Sequence, residues 1–187
     1  MDQGTLSTKV RVLDVAYFAP KVQVMVGNRI IADGLDYGML SDYQRVTDGF
    51  RRVSVINQES RRKEPADSNL EAAGSFPQEE VISDTLPFCG GRQITLVFCN
   101  TMNGISLIPM EELSCYAGKN RGCIRFANFS FGDGPFDVLD ADGNVAFLDI
   151  MPREITQPLP AEAGDYEFSI VRTGSEYVPE SELASGQ

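Results

Sequence analysis

The side chains best suited to chemistry are four cysteines, Cys89, Cys99, Cys115 and Cys123. None stands in a C-x-x-C pair and the chain has no histidine, so they are not expected to form a zinc site. Cys115 and Cys123 bracket the stretch YAGKNRG and are the pair best spaced for a disulfide. Cys99 ends an apolar run and reads as a core thiol. A second constellation is Asp140-Ala141-Asp142-Gly143-Asn144, where Asp140, Asp142 and Asn144 alternate as oxygen donors like the start of a calcium loop. The glutamate that closes such a loop is missing, and Asp149 does not fit its place. Asp-Gly and Gly-Asn also make ordinary hairpin turns, which is the favoured reading; no metal and no cofactor is assigned. A third set is aromatic. Tyr17 and Phe18 follow the first strand-like run, and Phe129 and Phe131 follow a similar run later. Such residues either form a binding tip for protein or glycan or plug the open end of a sandwich; plugging is favoured. Arg11 and Arg125, each inside such a run, are expected to anchor local hydrogen bonds.

The elements that must position these residues are strands. Val22, Val24 and Val26 alternate with Gln23 and Met25, and β-branched runs recur at 10–15, 53–56, 81–88, 93–99 and 105–110. The runs are short and separated by Gly, Asn, Asp and Pro, the pattern of an antiparallel sandwich. Helix candidates are confined to 69–73 and 110–115, which argues against a parallel α/β fold. The stretch 57–80 is polar and reads as a loop inserted between strands; its Arg61-Arg62-Lys63 cluster reads as a solvated tip, with polyanion binding as the sharper alternative.

An internal similarity organises the chain. Val10-Arg11-Val12 corresponds to Ile124-Arg125-Phe126, Gly27-Asn28 to Gly143-Asn144, and Gly49 to Val55 to Gly164 to Ile170, at an offset of 114 to 116 residues. The second copy stops soon after Val171 and lacks about three strands. A four-stranded sheet with one apolar face does not stand alone in water, so this shorter unit is expected to pack on the first; a homo-oligomer is the other way to cover it.

The net charge is −11. Residues 1–60 carry seven basic and seven acidic side chains, whereas 121–187 carry four and twelve. This acidity disfavours nucleic acid and anionic lipid as partners. No apolar run reaches the ~18 residues of a membrane-spanning helix, so membrane insertion is not expected. The absence of histidine removes Ser–His–Asp and Cys–His catalysis, and only a carboxylate pair of the glycosidase type stays open.

The ordered motifs Val10-Arg11-Val12, Ala19-Pro20, Val22-Gln23-Val24, Gly27-Asn28, Tyr37-Gly38, Ser41-Asp42-Tyr43 and Asp48-Gly49-Phe50 resemble the Domain of Unknown Function 4397 family. Ile105-Ser106-Leu107-Ile108-Pro109 is similar to the family's closing strand. A second set follows in Ile124-Arg125-Phe126, Asp142-Gly143-Asn144, Arg153-Glu154-Ile155-Thr156 and Ala163-Gly164-Asp165-Tyr166. The His-Ala-Ser-Pro loop of many members is absent here. The resemblance implies an immunoglobulin-like sandwich and an extracellular location, and it brings no activity with it.

The expectation is an all-β, immunoglobulin-like antiparallel β-sandwich over 9–113, with the insertion at 57–80. A second, shorter β unit spans 120–175, and a flexible tail spans 176–187. The expected function is a non-catalytic bacterial cell-surface or secreted interaction module that binds protein or glycan through its loops. A structural spacer of a surface layer is the alternative. MDQGTLSTKV has no apolar core of a signal peptide, so either the protein is cytoplasmic or an export signal was trimmed; with the extracellular location that the resemblance implies, trimming is the expectation.

Overall fold

A computed structural model describes residues 7–17, 19–58, 79–115 and 118–175. Every regular element among them is a strand. The chain divides into two compact units, Met1–Glu112 and Leu113–Gln187.

The first unit is an eight-stranded sandwich. Its strands are β1 (Ser7–Val15), β2 (Val22–Val26), β3 (Arg29–Leu35), β4 (Gln44–Thr47), β5 (Gly49–Asn57), β6 (Glu80–Phe88), β7 (Gln93–Thr101) and β8 (Gly104–Glu111). One sheet has the order β4-β1-β7-β8 and the other β3-β2-β5-β6. The two-residue period of a strand decides which side chains meet between them. In β1 every second residue is buried, from Thr8 through Val10 and Val12 to Asp14. Val22, Val24, Val53, Val55 and Phe88 from one sheet join Val10, Val12, Leu96 and Phe98 from the other in a single core cluster.

Strand pairing is antiparallel throughout this unit except between β1 and β7, which run parallel from Lys9↔Gln93 to Val15↔Cys99. The rest of the unit is the antiparallel sandwich that the sequence predicts. The parallel pairing brings the ends of β1 and β7 to the same edge of the sheet. Gly27, at φ 58°, takes the positive φ that a two-residue hairpin turn needs at its first central position between Val26 and Arg29.

The helix candidate at 110–115 is not a helix. Met110 and Glu111 instead complete β8, where Glu111 stands opposite Ile94, and the Glu112 N–H donates to the Gln93 carbonyl. Ladder pairing overrides the helix propensity of Met-Glu-Glu-Leu. The other helix candidate, 69–73, and the Arg61-Arg62-Lys63 cluster lie outside the described residues, as do most of the 57–80 insertion and the 176–187 tail. The described flanks narrow the insertion, since β5 runs to Asn57 and β6 begins at Glu80.

The second unit has β9 (Arg121–Ile124), β10 (Phe136–Asp140), β11 (Val145–Ile150), β12 (Leu159–Glu162) and β13 (Phe168–Arg172). They form a three-stranded sheet, β11-β10-β13, and a two-stranded one, β12-β9. Hydrogen bonds of the first unit recur here at corresponding positions. The Val12 N–H donates to Ser41 Oγ at 2.9 Å, and the Phe126 N–H to Thr156 Oγ1 at 2.8 Å. The Asp14 N–H donates to the Met39 carbonyl at 3.0 Å, and the Asn128 N–H to that of Glu154 at 2.9 Å. The Gly38 N–H reaches the Asp14 carbonyl, and the Arg153 N–H that of Asn128; Gly38 and Arg153 have φ of 78° and 69°. β12 pairs with β9 in the register that β4 keeps with β1, as Val10↔Gln44 and Ile124↔Leu159 illustrate. No described strand occupies the places that β6, β7 and β8 hold in the first unit.

Candidate functional site

The parallel β1–β7 pairing builds one end of the first unit. Beyond Val15, the Tyr17 N–H donates to Asn100 Oδ1 at 2.6 Å, which ties the first loop to the end of β7. The Leu13↔Leu40 bridge brings in the 36–43 segment, and Thr101↔Gly104 closes the β7–β8 turn beside it. Tyr17 at 59% exposure, Tyr37, Met39, Leu40 and Met102 at 84% stand out from this end. The rings of Tyr17 and Tyr37 meet edge to face, with centroids 5.6 Å apart, a favoured geometry that fixes both rings.

A buried carboxylate underlies this cluster. Asp14 is 1% exposed, and its Oδ1 accepts the Ala16 N–H at 2.9 Å. Burial pushes the Asp14 carboxyl above its ordinary pKa; the Ala16 hydrogen bond opposes this and the Asp36 carboxylate adds to it. Asp36 is itself paired with Lys21 at 3.3 Å. Asn128 stands in the corresponding place of the second unit. Its Oδ1 accepts the Ser130 N–H at 3.0 Å and its Nδ2 donates to the Ile150 carbonyl at 3.0 Å.

The expected aromatic residues separate. Tyr17 does not plug the sandwich, because it points outward; Phe18 lies outside the described residues. Phe131 is likewise exposed. Phe129 is half-buried and lines an apolar pocket of about 250 Å³ with Phe126, Phe136, Val138, Ile150 and Ile170. That pocket lies in the inner face of the second unit. In the first unit, buried Phe88 and Phe98 help to fill the core.

Asp140 holds a turn. Its Oδ1 accepts the Asp142 N–H at 3.0 Å and the Asn144 N–H at 2.8 Å. The Asn144 backbone bond is the main cause of its lowered pKa. Gly143 supplies a φ of 80°, and its N–H closes the turn on the Asp140 carbonyl. Among the described residues no group of three His, Cys, Asp or Glu side chains is placed to hold a metal ion. Cys115 and Cys123 are joined by a disulfide with a Cα separation of 6.3 Å. Cys99 is buried and Cys89 is an exposed thiol. Arg11 donates from Nε to Thr95 Oγ1 and from a terminal nitrogen to Glu112 Oε1, each at 2.9 Å. Its guanidinium lies 4.6 Å from the Tyr43 ring centre, so Arg11 locks β1 to its neighbours.

Residues 8–139 match the family described as Domain of unknown function (DUF4397), from β1 through nearly all of β10. The chain belongs to the DUF4397 family. No curated protein matches it.

In this DUF4397 chain, sequence reasoning found Tyr17 but missed Tyr37, Met39 and Met102 as members of the same end. The signal available was Tyr37-Gly38: a tyrosine beside a glycine at positive φ, in a segment too polar to be a strand. Nothing local to Met102 marks it; it stands in the turn between β7 and β8, closed by Thr101↔Gly104.

Proposed function

We propose that this DUF4397 chain is a non-catalytic interaction module of the cell surface or the extracellular space. It binds a protein or glycan partner through the loop end of its first unit. The observation that carries this reading is the exposed set Tyr17, Tyr37, Met39 and Met102, in the loops and the turn at one end of the paired strands. Aromatic and methionine side chains held on a rigid frame gain contact area at small entropic cost. The Cys115–Cys123 disulfide supports an oxidising location. The non-catalytic reading rests on composition, since the chain lacks histidine, and on the buried carboxyl Asp14, which is engaged by the backbone.

The test is binding of the full chain to glycan and peptide arrays, alongside the Tyr17→Ala/Tyr37→Ala variant. A discrete set of signals should appear and should be lost in the variant, whose melting temperature stays within a degree or two of wild type because both side chains are exposed. No signal from either protein, or equal signals from both, overturns this reading in favour of a spacer without a ligand of its own.

A further inference from the structure

On the first unit the edge strands β4 and β3 flank a cleft of about 330 Å³ lined by Val26, Gly27, Asn28, Arg29, Arg45, Val46, Thr47 and Arg51. Three guanidinium groups and no carboxylate line it, in a chain of net charge −11. The arginines come from three elements. Arg29 opens β3 directly after the Gly27-Asn28 turn, Arg45 sits in β4, and Arg51 in β5. Two of them are held in place by hydrogen bonds. Arg29 donates across the cleft to Gln44 Oε1 at 3.3 Å. Arg51 donates from Nε to the Thr47 carbonyl at 3.2 Å and from a terminal nitrogen to that of Asp48 at 2.8 Å. Among the described residues none of the three forms an ion pair, and no described hydrogen bond uses the Arg45 side chain. Neither of the nearest acids in sequence, Asp42 and Asp48, is part of the lining; Asp48 Oδ1 accepts the Thr8 hydroxyl.

We propose that this cleft binds a multiply charged oxyanion, a phosphate or sulfate group of a larger ligand. Arginine forks match the oxygen geometry of such groups and form charge-assisted hydrogen bonds with them. Three guanidinium groups without a counter-charge call for more than the single charge of a carboxylate. The volume fits one or two oxyanion groups and sits at the lower end of small-ligand sites. The cleft is built from the β2–β3 turn and the β4–β5 connection, whereas the Tyr17 cluster is built from the ends of β1 and β7. The two sites are therefore independent.

The experiment is calorimetric titration of the full chain with sodium pyrophosphate, inorganic phosphate and sulfate. Acetate and chloride at matched ionic strength serve as controls, and Arg29→Gln/Arg45→Gln is run beside wild type. Saturable binding is expected in a phosphate or the sulfate arm, which tells the two chemistries apart. It should be absent with acetate and chloride, weaken as salt is raised, and fall at least tenfold in the double variant. Where the double variant melts below wild type, Arg45→Gln alone gives the measure, since no described contact of the fold uses that side chain. No saturable binding of any oxyanion, or equal affinity in wild type and variant, overturns the proposal. Neither result bears on the Tyr17–Tyr37 end.

Discussion

Val55 in β5 and Ile170 in β13 hold corresponding places, opposite Val24 and Val138 respectively. Val55 is 0% exposed and Ile170 is 63% exposed. In the first unit β6 pairs with β5 and sets Ile82 beside Val55, while β7 lines the facing sheet with Leu96 and Phe98. In the second unit β13 pairs with β10 alone among the described strands, and the face that holds Phe126 and Ile170 opens into the apolar pocket. The same five-strand framework is thus closed in one place and open in the other. Local hydrogen bonding specifies the framework, and the covering strands supply the burial.

The widest separation between the units should appear on truncating apolar side chains. Phe98→Ala removes a fully buried ring and should cost about 3–5 kcal/mol in denaturant unfolding. Ile170→Ala should change stability by no more than about 0.5 kcal/mol. A cost of several kcal/mol at Ile170 would mean that the side chain is covered in solution.

A smaller effect is expected from the disulfide, which closes a short loop at the start of the second unit. Reduction, or Cys115→Ser/Cys123→Ser, should cost about 2–3 kcal/mol from loop entropy. Peptide-resolved hydrogen exchange should show the loss in 118–172 and leave β1 to β8 unchanged. Loss of protection in β7 as well would show that the two units do not unfold independently.

The smallest effect concerns Asp14 and Asn128. Asp14 has a raised pKa in the fold, so it contributes stability that is complete below its unfolded value of about 3.9 and is lost as pH rises through the folded value. Asp14→Asn should therefore remove that fall and leave a steeper rise of stability with pH on the acid limb, where carboxylates of lowered pKa such as Asp140 act alone. At neutral pH it should raise stability by about 1 kcal/mol, since Asn128 shows that the site accepts an amide. An unchanged acid limb in pH-dependent melting would place the titration elsewhere.

Much of this was legible in the sequence, for identifiable reasons. The alternation of Val10 with Val12 and of Val22 with Val24 and Val26 marks inward faces directly. The correspondence of Gly27-Asn28 with Gly143-Asn144 marks matching turns. The Asp140 turn was readable because Asp-Gly chemistry acts over five residues. What depends on distant strands was not legible. The parallel β1–β7 register leaves no trace in either strand, and it alone sets Tyr17 beside Asn100. Met110 to Leu113 carries helix-forming residues, and only pairing with Gln93 and Ile94 carries β8 to Glu111 and holds the Glu112 N–H. Arg45 and Arg51 are close in sequence, but Arg29 is not, and it joins them only because the edge strands β3 and β4 flank one cleft.

Native-state hydrogen exchange of β5 against β13 tests the open framework most directly. β5 is paired on both sides and β13 on one. The amides of β13 that point away from β10 should exchange orders of magnitude faster than those of β5, with the amides of β10 between them. Protection in β13 equal to that in β5 would contradict the open edge and show that another polypeptide strand, such as one from a second copy of the chain, already lies along it.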